Sequence, residues 1–165
     1  MTRYFIAPLL ILGLLASPAL AEEPAYVTTR TLGMETAQQL ALASSLACRK
    51  LGYQVTVTVV DRNGNLLAMV RDPLSGTHTI DISRLKAMTA ATFQTATISM
   101  DDLPELRDAP GVLLIGGGVP VQVGGHFYGA VGVSGAPKRK VTGDIDDECA
   151  RTGIGAISET LEFAE

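Results

Sequence analysis

The chain has 165 residues, with 13 Lys and Arg against 17 Asp and Glu; the resulting net charge of −4 leaves no basic footprint for nucleic acid. Its length suits a single domain, and a composition without tryptophan and rich in Ala, Val, Gly, Leu and Thr describes a core built from many small contacts. After the N-terminus no further apolar run is long enough to span a bilayer, so stable membrane insertion is not expected of the folded part.

Met1-Thr2-Arg3 is a short basic start, Phe5 to Ala16 is apolar apart from Pro8 and Gly13, and Ala19-Leu20-Ala21 is an A-x-A cleavage pattern. Glu22-Glu23-Pro24 follows where a membrane anchor would carry basic residues. Residues 1–21 therefore read as a signal peptide, and residues 22–165 as one exported domain, periplasmic or secreted.

Glu22 to Leu32 reads as an extended lead-in. From Gly33 to Leu51, Ala37, Leu40, Ala41, Ser44, Cys48 and Leu51 recur at helical spacing. Glu35 at the start and Arg49-Lys50 at the end suit the helix dipole, and Gly52 stops the helix. Val55 to Val60 is a strand with valines on one face and Thr56 and Thr58 on the other. Asp61-Arg62-Asn63-Gly64-Asn65 contains an Asn-Gly step, so Leu66 to Val70 returns as the second arm of a hairpin. Arg71 to Thr79 carries Pro73 and Gly76 and reads as a loop. The spacing then predicts a second helix over 80–93, burying Ile82, Leu85, Thr89 and Phe93 and kept thin by Ala87, Ala90 and Ala91. A helical turn is expected near Asp102 to Arg107.

Val112 to Ile115 is a wholly apolar run and is read as a strand buried on both faces. Gly116-Gly117-Gly118 separates it from Val119 to Val123, whose Pro120 confines that strand to an edge. Gly124-Gly125 is a two-residue hairpin signal. In the return strand, His126 to Val133, strict alternation sets Phe127, Gly129, Val131 and Val133 against His126, Tyr128, Ala130 and Gly132. One sheet face is thus nearly bare of side chains, where a helix, a flat ligand or another subunit can approach closely. A last helix from Asp144 to Phe163 turns Ala150, Gly153, Ile154, Ile157 and Leu161 inward. The acidic cluster Asp144, Asp146, Asp147 and Glu148 at its start suits the helix dipole better than a Ca²⁺ loop. The order of helix, hairpin, helix, three strands and helix describes an α/β sandwich with a central five-stranded antiparallel sheet.

Few residues carry chemistry. Cys48 and Cys149 lie on the first and last helices; they can form a disulfide, as export favours, or remain two buried thiols. His78, in the loop opening the second helix, is bracketed by Arg71 and Lys86 near free helix N–H groups, a setting for an anion or a metal centre. His126 sits at a hairpin tip. Ser134-Gly135 lacks the G-x-S-x-G context of a nucleophile elbow, and Gly116 to Gly118 is followed by a strand rather than the helix of a dinucleotide fingerprint.

Several motifs together carry a resemblance to a known family. V-D-R-N-G-N-L-L-A at 60–68, R-D-P-L-S-G at 71–76, K-A-M-T-A-A-T-F at 86–93, G-G-G-V-P-V at 116–121, G-A-V-G-V-S-G-A at 129–136 and D-I-D-D-E-C-A-R-T-G at 144–153 resemble the GlcG/HbpS family. The resemblance implies a profilin-like α/β/α sandwich assembling as a homo-oligomer, from dimer to octamer. It also implies haem as ligand, with degradation or redox sensing in some members. Asp61, Gly64, Arg71, Lys86, Thr89, Gly117, Pro120, Gly132, Ser134 and Gly135 lie where the family is most alike. The chain departs from commoner members in the Arg71–His78 segment. The expected ligand site is His78 on haem iron, Arg71 or Lys86 at the propionates, and Ser134 and Gly117 nearby, the porphyrin lying on the bare sheet face. The alternatives are an enzyme or binding protein for a small carboxylate such as a hydroxy acid, with Lys86 and Arg71 holding the anion and Ser134 or Asp61 handling a proton, and an accessory protein whose bare surface serves self-assembly alone.

Overall fold

A computed structural model describes residues 23–100 and 102–164. The signal-peptide reading falls outside the described residues. Among those described, no helix is long and apolar enough to cross a membrane.

Three helices, α1 (Met34–Lys50), α2 (Thr79–Phe93) and α3 (Asp144–Glu162), enclose strands β1 (Thr56–Val60), β2 (Leu66–Arg71), β3 (Gly118–Val123) and β4 (His126–Ser134). All strand pairs are antiparallel, in the order β2-β1-β4-β3. Helices α1 and α3 pack on each other across one sheet face, and α2 packs on the other face. Cys48 and Cys149 are joined by a disulfide across the α1–α3 contact, their Cα atoms 5.4 Å apart.

Among the described residues the sheet has four strands, not five. Residues 112–115 are only half-buried, and their backbone groups find partners outside any ladder. Leu113 N–H donates to Thr89 Oγ1 at 2.9 Å, and Ile115 C=O accepts from Thr97 Oγ1 at 2.7 Å. An apolar run this short carries no information on which partner its N–H groups take. Pro120 does lie on an edge strand, and Gly124 and Gly125 form the β3–β4 turn with φ of +57° and +77°.

Alternation in β4 also breaks. Val121 pairs with Gly129 but Gln122 with Phe127, so Tyr128 is the extra residue of a bulge, with Gly129 at φ +138°. Tyr128 therefore joins Val131 and Val133 in the core beneath α1 and α3, while Phe127 packs with Ala130 on the α2 side.

The face of α2 that is buried is not the large apolar one. Thr79, Ser83, Lys86, Ala87, Thr89, Ala90 and Ala91 are buried, while Ile82 and Leu85 are half-buried and Phe93 is exposed. The sheet dictates this choice. Thr58, Gly132 and Gly118 stand side by side across three strands. A Cβ on Gly132 would come within 2.6 Å of Ala87 N, and one on Gly118 within 2.8 Å of Lys86 C. The helix backbone thus rests directly on the strands, leaving no room there for Leu or Phe. Hydroxyls complete the contact: Thr58 Oγ1 lies 2.8 Å from Ser83 Oγ, and Thr56 Oγ1 lies 2.6 Å from Thr79 Oγ1.

Candidate functional site

The bare sheet face is closed by the protein's own α2, so a porphyrin cannot lie against Gly118 and Gly132. The opening that remains is a cleft of about 270 Å³ at one end of that contact. His78 just before α2, Ile82 within it, Ser134 at the end of β4, and Lys138 and Thr142 of the following loop form its walls, with Lys86 and Asp146 at its base. Three of the predicted ligand residues, His78, Lys86 and Ser134, therefore do meet.

Lys86 is the best-defined of them. Its side chain is 2% exposed, and Nζ donates to Asp146 Oδ2 and to Val133 C=O, both at 2.8 Å. Asp146 in turn accepts from Ala136 N–H at 3.0 Å through Oδ1. Burial pushes the Lys86 ammonium down and the Asp146 carboxyl up, each opposed by the partner's charge. Lys86 is thus not a free cation for a propionate, as the sequence reading supposed. It ties α2 to α3 and to the end of β4.

Gly117 is beneath this pair. At φ +112°, a Cβ there would lie 2.7 Å from both Asp146 Cβ and Val133 O and 3.0 Å from Lys86 Nζ. Only glycine admits both the backbone conformation and the close approach. Arg71 does not line the cleft; its guanidinium donates to Ser75 C=O in the loop between β2 and α2. His78 immediately precedes α2, is exposed, and lies against Gly76, where a Cβ would come 2.7 Å from His78 Cε1.

Asp146 was not singled out from its neighbours by spacing. The four carboxylates at the start of α3 do different things. Asp144 accepts from Arg139, Lys140 and Ile145 N–H groups, Asp147 pairs with Arg151 at 2.6 Å, and Glu148 pairs with Arg139 at 2.6 Å. The available signal was a lysine at helical spacing with the small residues of a thin helix face, because a buried ammonium requires a carboxylate partner. Asp61, an alternative proton-handling group, spends its carboxylate on Asn63 and Asn65 at the hairpin turn, away from the cleft. Among the described residues no group of three or more His, Cys, Asp or Glu is arranged to hold a metal ion.

The family described as "Haem degrading protein HbpS-like" matches residues 32–155. The chain belongs to the HbpS-like family. A double mutant of HbpS from Streptomyces reticuli shares its fold with a TM-score of 0.73 and 35% identity, covering 86% of this chain and 97% of that one. PduOC, solved as a haem complex, has a TM-score of 0.68 and 27% identity over 77% of this chain and 95% of its own. Protein GlcG of Escherichia coli K12 is 32% identical over 108 residues, covering 62% of this chain and 81% of its own length. The helical layers, the antiparallel sheet and the glycines beneath α2 are thus a member's version of the HbpS-like architecture.

Proposed function

We propose that this protein is an exported haem-binding accessory protein, with His78 as the iron ligand. The observation that carries the reading is an exposed imidazole at the lip of a cleft in an HbpS-like domain, together with the haem complex of PduOC. Neutral imidazole is the usual protein donor to haem iron. Small-molecule sites usually enclose about 300–1,000 Å³, so a cleft of about 270 Å³ is too small to envelop a macrocycle. The porphyrin lies across the mouth instead, its edge towards Ile82 and Ile115 and a propionate within reach of Lys138. A second copy covers the remaining face, which makes the binding unit a homo-oligomer. Protein freshly isolated from its native compartment should carry a Soret band. A colourless preparation that also fails to take up hemin would count against the reading.

The cleft's small volume favours one second reading, a site for a small carboxylate such as a hydroxy acid bound beside His78, Ser134 and Lys138. In that case glycolate should protect the amides of Ser134 to Ala136 from hydrogen exchange, and hemin should not compete with it.

A further inference from the structure

A separate cleft of about 360 Å³ opens at the opposite end of β4, between the lead-in segment and the tips of both hairpins. Its walls are Thr28, Arg30, Arg62, Gly125, His126 and Phe127. The cleft gathers two guanidiniums and an imidazole in a chain whose net charge is −4.

Neither arginine is neutralised by a carboxylate of the described residues. By contrast Arg49, Arg139 and Arg151 each hold an acidic partner at 2.6 to 2.7 Å. Arg62 stacks on the Phe127 ring with its Cζ 5.2 Å from the centroid. The neighbouring Asp61 does not answer it, because that carboxylate accepts Asn63 N–H at 2.8 Å and Asn65 N–H and Nδ2 at 2.9 Å. Arg30 Nη1 is 3.5 Å from Tyr128 Oη, a contact at the outer limit of a hydrogen bond and the one side-chain bond Arg30 makes among the described residues. The bulge at Tyr128 creates the arrangement by sending Tyr128 towards Arg30 and Phe127 towards Arg62.

We infer that this cleft binds a small organic dicarboxylate, with one carboxylate on Arg30 and the other on Arg62. A guanidinium presents a planar fork that matches a carboxylate through two parallel N–H···O bonds. Arg30 comes from the lead-in segment and Arg62 from the β1–β2 turn, so the cleft offers two independent forks, one for each carboxylate. Phe127 and the Gly125 backbone offer an apolar and uncrowded floor for the carbons between them, and the Thr28 hydroxyl and His126 can donate to the outer oxygens.

The test is a titration of the full mature chain with succinate, followed by the amide signals of Gly125, His126 and Phe127 and by calorimetry, with acetate and inorganic phosphate as controls. Succinate is expected to bind at least tenfold more tightly than either control. Arg30→Gln and Arg62→Gln should each weaken it at least tenfold, and Arg62→Lys should recover only part of the loss, since it keeps the charge but not the fork. Hemin uptake by Arg62→Gln should match the parent protein. Equal binding of acetate, absence of shifts at Gly125–Phe127, or unchanged affinity in both glutamine variants would overturn the proposal. Loss of hemin uptake in Arg62→Gln would do the same, by showing that the arginines belong to a porphyrin site.

Discussion

Replacing Lys86 by Met removes one half of an ion pair that is 2% and 4% exposed on its two sides. The Asp146 carboxylate then keeps Ala136 N–H but loses its only cation among the described ion pairs. Breaking a buried pair in this way costs about 3–5 kcal/mol, because the remaining charge has no water to return to. The double replacement Lys86→Met with Asp146→Leu removes both charges and should recover most of that loss, since apolar substitutes for a buried pair are often neutral or better. The pH dependence has a definite sign. Asp146 is raised above its ordinary value of 3.8 by burial, so its contribution to stability is present below 3.8 and fades as pH rises through the folded-state value. Without Lys86 the folded-state value climbs further, and the deficit of the single variant should grow from pH 4 to pH 8. Urea unfolding of Lys86→Met, Asp146→Leu and the double variant beside the parent, with the disulfide intact and analysed as a double-mutant cycle at both pH values, measures this directly. A Lys86→Met loss below about 1 kcal/mol, or strict additivity in the double variant, would refute the reasoning.

The close approach of α2 to the sheet predicts that Gly132→Ala loses about 1–3 kcal/mol, because the added Cβ meets the backbone of Ser83 and Ala87. Gly155→Ala in α3 faces open space and should gain up to about 1 kcal/mol from helix propensity, so thermal unfolding should move the two variants in opposite directions. Replacing Cys48 and Cys149 by Ser opens a link spanning 101 residues and should cost about 4–5 kcal/mol on chain-entropy grounds, read as a fall in the urea midpoint. Asp144 is pulled down to about 2, foremost by Arg139 N–H, against the burial that pushes it up and with help from the Lys140, Ile145 and Val141 N–H groups. Its contribution is therefore present above 3.8 and lost as pH falls through about 2. The Arg139 and Lys140 amide signals should titrate with that midpoint, and Asp144→Asn should abolish the titration.

The helices were legible because each has a stripe at 3.6-residue spacing, helped by end signals such as Gly52 after α1 and the acids in the first turn of α3. Both hairpins were legible from Asn63-Gly64 and Gly124-Gly125, and the positive φ values of Gly64, Gly124 and Gly125 are the physical content of the signal. The fifth strand was not, because Val112 to Ile115 looks apolar whether its N–H groups meet a strand or the Thr89 hydroxyl. The rotation of α2 was hidden for a related reason. Burial of Ser83 and Lys86 in preference to Leu85 depends on Gly118 and Gly132 lying beneath them, a pairing between segments that no local periodicity contains. The glycine-lined face was read correctly as a close-approach surface, and what approaches it is α2. Within the candidate site, the proximity of His78 and Lys86 followed from their two-turn spacing along α2, whereas Ser134 joins them only through the packing of α2 on β4. The role of Lys86 did not, since its partner Asp146 is 60 residues away.

The proposed haem site rests on His78, and an equilibrium hemin titration of residues 22–165 beside their His78→Ala and His126→Ala variants tests it most directly. Saturable Soret changes in the parent and in His126→Ala, weakened at least tenfold and shifted in wavelength in His78→Ala, are the predicted result. Identical titrations in all three proteins, or no Soret change in any, would contradict it.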